Sequence, residues 1–86
     1  RLMPEISKQK FVCIDCETTG LDVNQDRIIE VAVVIFDGEK EYEQWESLID
    51  PECPIPDSSI VIHHITQEMV QGKPTINQVL PLILKM

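Results

Sequence analysis

The chain has 86 residues, of which 43% are hydrophobic, and a formal net charge of −8. This length excludes more than one small hydrophobic core. The acidic balance disfavours a simple nucleic-acid-binding module, because it repels a polyanion. The negative charge does not exclude an enzyme that acts on phosphates through bound cations, since the cations reverse the local electric field. The longest apolar run, residues 31–36, is far shorter than the ~20 residues of a membrane span. The three cysteines, without a signal peptide before them, indicate a reducing, cytoplasmic setting.

The first half of the chain has the pattern of β-strands. Residues 11–14 form a short apolar run that predicts a buried strand reaching Glu17. Residues 28–36 are dense in β-branched side chains and stop at an Asp-Gly dipeptide, which favours a tight hairpin. Residues 42–49 are then the returning strand. The pattern predicts an antiparallel pair of strands that follows the first strand.

The second half of the chain has the pattern of helices. Three prolines within residues 51–56 mark the connection. Asp57 is predicted to cap a short helix through Ile62, and Thr66 to cap a turn over residues 67–70. Thr75 and Gln78 fit a capping box, which opens an apolar helical stripe at Ile76, Val79, Leu80, Ile83 and Leu84. This stripe is uncapped where the sequence stops, so we interpret the chain as truncated at its C-terminal end.

Two carboxylates stand at the end of the first predicted strand. Because side chains alternate along a strand, Asp15 and Glu17 are expected on the same side, about 7 Å apart, with Cys16 opposite. Acidic side chains on an otherwise apolar strand need bound cations or hydrogen-bond donors next to them. Mg²⁺ or Mn²⁺ would be suitable cations. Taken alone the motif is weak, because Asp-x-Glu also occurs on solvated strands.

Four fragments in a fixed order give this pair a context. Asp-Cys-Glu-Thr-Thr-Gly-Leu at residues 15–21 resembles the first motif of the DnaQ-like, or DEDD, exonuclease superfamily. Residues 27–31 resemble the second strand of that family, residues 62–66 its His-Gly-Ile-Thr turn, and residues 73–75 the lead into its next helix. The resemblance is closest to the proofreading epsilon subunit of bacterial DNA polymerase III. It implies a metal-dependent 3′→5′ exonuclease that removes nucleotides from DNA 3′ ends.

The resemblance also implies a fold and a cofactor. We expect an α/β, ribonuclease H-like fold, with an antiparallel three-stranded meander followed by helices, and residues 1–86 as the N-terminal half of a single exonuclease domain. The family holds two Mg²⁺ or Mn²⁺ ions with four acidic residues, of which Asp15 and Glu17 match the first two. The other two acids and the general base have no counterpart in these residues. The 86 residues alone are therefore expected to be inactive and to bind metal weakly.

Five further residues are assigned to the substrate by the same resemblance. Thr18 and Thr19 would hold the terminal nucleotide with backbone N–H groups, although both also suit a plain turn. Leu21 would pack against the terminal base or merely cover the sheet edge. Ser58 and His63 would face the nucleotide. His64 replaces the family's glycine, which puts the turn conformation in question, because histidine tolerates a positive φ poorly.

Other readings of the sequence remain open. The enzyme could act on RNA, as oligoribonuclease and tRNA-trimming enzymes do, or the chain could be a non-catalytic interaction module on the same fold. The expected partners are a nucleic-acid 3′ end, with DNA favoured over RNA, and DNA polymerase subunits, with no membrane. A zinc site at Cys13, Cys16, Cys53 and His63 is disfavoured, because sulfurs three residues apart on a strand point to opposite faces. We expect the cysteines to be small buried hydrophobes.

Overall fold

The first half of the described chain forms a three-stranded antiparallel sheet. The computed structural model describes residues 8–22 and 24–86, so residues 1–7 and 23 of the predicted domain lie outside the description. The strands are β1 (Phe11–Thr18), β2 (Ile28–Phe36) and β3 (Glu41–Leu48), in the order β1-β2-β3. They are followed, within the described residues, by helices α1 (Asp57–His63), α2 (Gln67–Val70) and α3 (Ile76–Leu84). The predicted meander followed by helices is confirmed.

The core lies against one face of β2. Its side chains alternate between buried and half-buried positions along the whole strand, as expected for a central strand covered on one side. Helices α1 and α2 cover one end of this face, and α3 covers the rest. The first cluster contains Ile29, Ile55, Ile65 and Val70. The second contains Val31, Val33, Ile49 and Val79.

Strand β1 is not the buried strand that its apolar sequence predicts. The six residues from Phe11 to Cys16 are exposed. Val12 and Ile14 pair with the buried Ile35 and Val33, yet keep 58% and 54% of their surface in solvent. The reason is the position of β1 at the edge of the described sheet, while the helices pack over β2 and β3.

The prediction of buried cysteines is wrong for the same reason. Cys13 and Cys16 lie on the exposed strand β1, and Cys53 is half-buried in the connection after β3. Thiols behave as small hydrophobes only where the fold offers a covered position. The exposed residues of β1 have no such covered position.

The helix starts follow the predictions in part. Helix α1 begins one residue earlier than expected, because Pro56 is its cap and Asp57 its first residue. The extended backbone of Pro56 lets its carbonyl accept the first bonds from Ser59 and Ile60 N–H at 3.0 and 3.2 Å, without a side-chain cap. Thr66 does cap α2, since its hydroxyl accepts from Met69 N–H at 3.3 Å.

Helix α3 starts as its sequence predicts. The side-chain oxygen of Gln78 accepts from the N–H of Thr75 at 2.9 Å, which is one half of the expected capping box. Of the predicted stripe, Val79 is buried and Ile76 and Ile83 are half-buried against the second cluster. The other two members, Leu80 and Leu84, are exposed.

The turn after α1 keeps a left-handed residue although no glycine is present. His64 ends the helix at φ 61° and ψ 19°, and its N–H donates to the carbonyl of Ile60 at 2.7 Å. This is the left-handed helix end that usually employs glycine. Histidine therefore adopts the conformation that was in question, at a cost in backbone strain.

Replacing His64 by glycine is expected to stabilise the fold. The substitution removes a left-handed L-residue, which costs about 1–2 kcal/mol, so a net gain of about 1 kcal/mol is expected after the entropy of glycine is counted. Urea denaturation of the complete gene product measures the gain. The reciprocal control is Gly72→Ala, at φ 79° with no atom near the added Cβ, which should lose a similar amount. A loss of stability in His64→Gly would contradict the expectation.

Candidate active site

The two predicted carboxylates lie at the C-terminal end of β1. Asp15 and Glu17 are two residues apart on a regular strand and therefore project from the same side. Asp15 is exposed, and its Oδ1 accepts from the N–H of Cys16 at 3.0 Å. Glu17 is half-buried. The register shifts between Glu17 and Thr18, where Ile29 of β2 is the extra residue without a partner in β1.

A third carboxylate stands across the sheet from Glu17. Glu30 of β2 is its direct partner in the register, and both side chains are half-buried. Like charges placed opposite each other destabilise a sheet, unless a cation lies between or near them. Glu30 thus adds negative potential beside the predicted pair.

The donors present suit a hard divalent cation but form only part of a coordination shell. Carboxylate oxygens such as those of Asp15 and Glu17 are the ligands that Mg²⁺ and Mn²⁺ prefer. In residues 8–22 and 24–86, no group of three or more His, Cys, Asp or Glu side chains is placed to hold a metal ion. A six-coordinate ion at Asp15 and Glu17 would therefore need further ligands from water, substrate or other protein groups.

A cavity of about 170 Å³ opens beside Glu17. One wall comes from the end of β1 and the loop after it, and the other from helix α1. The lining residues are Glu17, Thr18, Gly20, Leu21, Ser59, Ile62 and His63. The structure thus brings together four of the predicted site residues, and Asp15 lies two residues before the cavity wall on the same strand.

Apolar side chains form the outer part of this cavity. Leu21 is fully exposed and Ile62 keeps 78% of its surface in solvent. Large apolar side chains left this open at the mouth of a cavity favour a flat apolar ligand surface. The hydroxyl of Thr18 donates to the carbonyl of Gly20 at 2.6 Å, which holds the chain in a tight turn between Glu17 and Leu21.

Thr19 is placed inside this turn and not in the cavity. Only 3% of its surface is exposed. Its hydroxyl donates to Oδ1 of Asp26 at 2.8 Å and accepts from the N–H of Arg27 at 2.9 Å. Its own N–H donates to the carbonyl of Arg27 at 2.9 Å, and its carbonyl accepts from the hydroxyl of Ser59. Thr19 therefore joins the loop, the start of β2 and helix α1.

Asp26 closes the loop from the other side. Its Oδ2 accepts from the N–H of Asp22 at 2.8 Å. A Cβ added to Gly20 would lie 2.5 Å from the same oxygen, so a larger residue here would displace the Asp26 carboxylate from its bonds to Thr19 and Asp22. Asp26 was not singled out in the sequence, although a short acidic residue just before a strand is a common loop-forming signal.

Ser59 takes the position in the cavity that the sequence assigns to Ser58. Ser58 is exposed on α1 and does not line the cavity, whereas Ser59 is 7% exposed and bonds to Thr19. Neighbouring positions on a helix point about 100° apart, so a shift of one residue exchanges an outward side chain for an inward one. The sequence predicts helix α1 but does not show which of its side chains face the cavity.

The charges of the site act on the thiol between them. The pKa of Cys16 is raised above its usual value, first by partial burial of the sulfur and then by the negative charges of Asp15 and Glu17. A raised pKa leaves less of the reactive thiolate at a given pH.

We expect Asp15→Asn to speed the alkylation of Cys16. The substitution removes one of the negative charges, so the pKa falls and more thiolate is present at mildly alkaline pH, while the effect of burial remains. Iodoacetamide labelling followed by tandem mass spectrometry measures the rate, with Cys53 in the same sample as the internal reference. An unchanged ratio of Cys16 to Cys53 labelling would show that the charge of Asp15 does not reach the thiol.

Helices long and apolar enough to cross a membrane are absent from residues 8–22 and 24–86.

Comparison with known proteins gives the site a family context. Residues 12–86 match the family described as Exonuclease. The chain is 43% identical over 74 residues to a DNA polymerase III PolC-type of Thermotoga maritima, which covers 86% of this chain and 5% of that protein. It is 42% identical over 64 residues to the DNA polymerase III subunit epsilon of Treponema pallidum, with 74% and 30% covered.

A solved structure with the same fold is exonuclease X in complex with 5′ overhanging duplex DNA. The TM-score is 0.74 at 38% identity, and the match covers 84% of this chain and 42% of that one. The chain thus spans less than half the length of each of these proteins.

Proposed function

The chain belongs to the exonuclease family, as its sequence motifs predict, and we propose that it carries Asp15 and Glu17 as the first two metal-binding carboxylates of a 3′→5′ exonuclease. The predicted ribonuclease H-like fold is confirmed by the same comparisons. One observation supports the activity most directly. Glu17 lies at the junction of strand β1 and a cavity with an apolar rim, on the same side of the strand as Asp15.

The two carboxylates would hold Mg²⁺ or Mn²⁺, two ions in the complete domain. When bound, such ions activate a water molecule and stabilise the departing 3′ oxygen of a phosphodiester. Asp15, the more exposed acid, lies nearer the solvent from which metal and phosphate arrive, and Glu17 faces the cavity that would receive the terminal nucleotide. The acidic surface at Glu17 and Glu30 would keep phosphate away until the charge is neutralised.

The remaining predicted residues would position the substrate. Thr18 and His63 line the cavity beside Glu17, and Leu21 stands at its mouth, where it would pack against the terminal base. Thr19 would act indirectly, by holding the turn that carries these side chains. Ser58 is exposed on α1 and would contact the nucleotide only from the outer side of the helix.

DNA is the proposed substrate, with a DNA polymerase as partner. The relatives named above are DNA polymerase III proteins, and the similar solved structure holds duplex DNA. By the family resemblance of its sequence motifs, the protein would act in proofreading in the cytoplasm, next to a replicating polymerase. Residues 1–86 would then be the N-terminal half of one exonuclease domain whose other acids and general base come from elsewhere in the protein.

Digestion of end-labelled oligonucleotides tests this proposal. The complete gene product with Mn²⁺ should shorten a 5′-labelled single-stranded DNA one nucleotide at a time, and should release the label of a 3′-labelled strand as a mononucleotide. A matched RNA strand should be cut more slowly, since the two differ at the 2′-hydroxyl. Faster cutting of RNA would favour an exoribonuclease, and no shortening of either strand would favour a non-catalytic interaction module.

A further inference from the structure

Leu21 stands at the mouth of the cavity without packing support. Its whole surface is exposed in the described part of the chain. A side chain without packing contacts keeps a defined position only if the backbone on both sides of it is fixed. Before Leu21, the carbonyl of Gly20 accepts from the hydroxyl of Thr18 at 2.6 Å. After Leu21, the N–H of Asp22 donates to Oδ2 of Asp26 at 2.8 Å.

The carboxylate of Asp26 holds the loop on both sides of Leu21. While Oδ2 accepts from Asp22, Oδ1 accepts from the hydroxyl of the buried Thr19 at 2.8 Å. The N–H of Asp26 donates in return to the carbonyl of Asp22 at 2.8 Å. The same carboxylate lies against Gly20, since a Cβ added there would be within 2.8 Å of both oxygens. One side chain therefore links the residues before Leu21 to the residue after it.

We propose that Asp26 is a positioning residue, which holds Leu21 at the cavity mouth and thereby sets the affinity for the 3′-terminal nucleotide. The proposal rests on the exonuclease function proposed above and adds a residue that acts on binding through another residue. Ordering a free loop when the substrate binds costs conformational entropy, which lowers affinity. A leucine that is already held in place avoids this cost. The bonds of Asp26 go to the loop rather than to Asp15 or Glu17, so hydrolysis itself should not depend on it.

Steady-state kinetics of the complete gene product on single-stranded DNA test whether Asp26 acts through Leu21. Asp26→Ala should raise KM about fivefold with kcat near that of wild type, and Leu21→Ala should raise KM about tenfold, because most of its apolar contact is lost. The double variant should have the KM of Leu21→Ala alone, since holding the loop has no effect once the held side chain is absent. A double variant about fiftyfold above wild type, which is the product of both effects, overturns the proposal. A wild-type KM in Asp26→Ala does so as well.

Two control variants separate the hydrogen bonds of Asp26 from its charge and from general stability. Asp26→Asn should keep KM near wild type, because the amide oxygen can accept from Asp22 and the amide nitrogen can donate to the hydroxyl of Thr19. A rise as large as that of Asp26→Ala would assign the effect to charge and overturn the proposal. Asp37→Ala removes a matched carboxylate, which accepts from two backbone N–H groups at 2.7 and 2.9 Å in the turn after β2. It should lower the unfolding midpoint and leave KM unchanged, and a raised KM would make stability alone the cause.

A second variant and NMR relaxation test the position of the loop directly. Gly20→Ala displaces the carboxylate while Asp26 is still present, so it should raise KM as Asp26→Ala does, and it replaces that variant if Asp26→Ala does not fold. Backbone ¹⁵N relaxation of the unliganded protein should give the amide of Leu21 an order parameter of about 0.8, which falls below about 0.6 in either variant. Equal order parameters in wild type and variant overturn the proposal. This result does not depend on exonuclease activity, so a gene product that cuts no nucleic acid refutes the proposed function separately.

Discussion

Replacement of Asp15 by asparagine in the complete gene product is expected to lower the rate of 3′-terminal hydrolysis about 10³-fold, which corresponds to about 4 kcal/mol of transition-state stabilisation. The side chain keeps its size and loses its negative charge, and hard divalent ions bind a neutral amide oxygen less strongly than a carboxylate. Because Asp15 is exposed, the free energy of unfolding should change little. Single-turnover digestion of a labelled DNA strand with Mn²⁺ measures the effect.

The matched control for this experiment is Glu46→Gln. Glu46 pairs with Ala32, which in turn pairs with Asp15, so the control removes one exposed carboxylate from the same face of the sheet. Its rate should stay close to that of wild type. If both variants lose activity equally, the general negative charge of the face is what matters. Undiminished hydrolysis by Asp15→Asn would remove Asp15 from the metal site.

Replacement of Thr19 by valine is expected to lower the free energy of unfolding by about 3 kcal/mol. Valine has nearly the same shape, but it removes the donor to Asp26 and the acceptor for the N–H of Arg27. Both groups are then left without a partner next to a buried methyl group, and an unsatisfied polar group costs about 1–3 kcal/mol when it is buried. Urea denaturation of the complete gene product measures the loss.

The control for Thr19→Val is Thr19→Ser. Serine keeps the hydroxyl and loses a single methyl group, which should cost about 1 kcal/mol. The difference between the two variants therefore reports the hydroxyl alone. Equal losses would mean that packing of the methyl group, and not the bonds to Asp26 and Arg27, makes position 19 sensitive.

Features set by neighbouring residues along the chain could be predicted from the sequence. The alternation of side chains places Asp15 and Glu17 on one side of β1 without knowledge of any other strand. The β-branched run of β2 and the Asp-Gly dipeptide after it likewise determine the hairpin, and Thr66 caps α2 as expected. In each case the physical cause acts over four residues or fewer.

Features set by tertiary packing could not be predicted in the same way. The apolar sequence of β1 does not show that α3 packs over β2 and β3 and leaves Val12 in solvent. The substrate residues near Glu17 differ for a similar reason. The hydroxyl of Thr19 points inward to its bonds with Asp26 and Arg27, and the start of α1 at Asp57 turns Ser59, rather than Ser58, toward the loop.

The bonds of Thr19 have a practical consequence for finding ligands. Because the loop that lines the cavity is tied through Thr19 to β2 and to α1, the cavity and the core should melt as one cooperative unit. A molecule that fills the cavity then protects the whole unit, by about 2.7 kcal/mol at a concentration of 100 times its Kd. Thermal-shift screening of nucleotides and metal salts, which needs no labelled substrate, would therefore identify compounds that occupy this cavity.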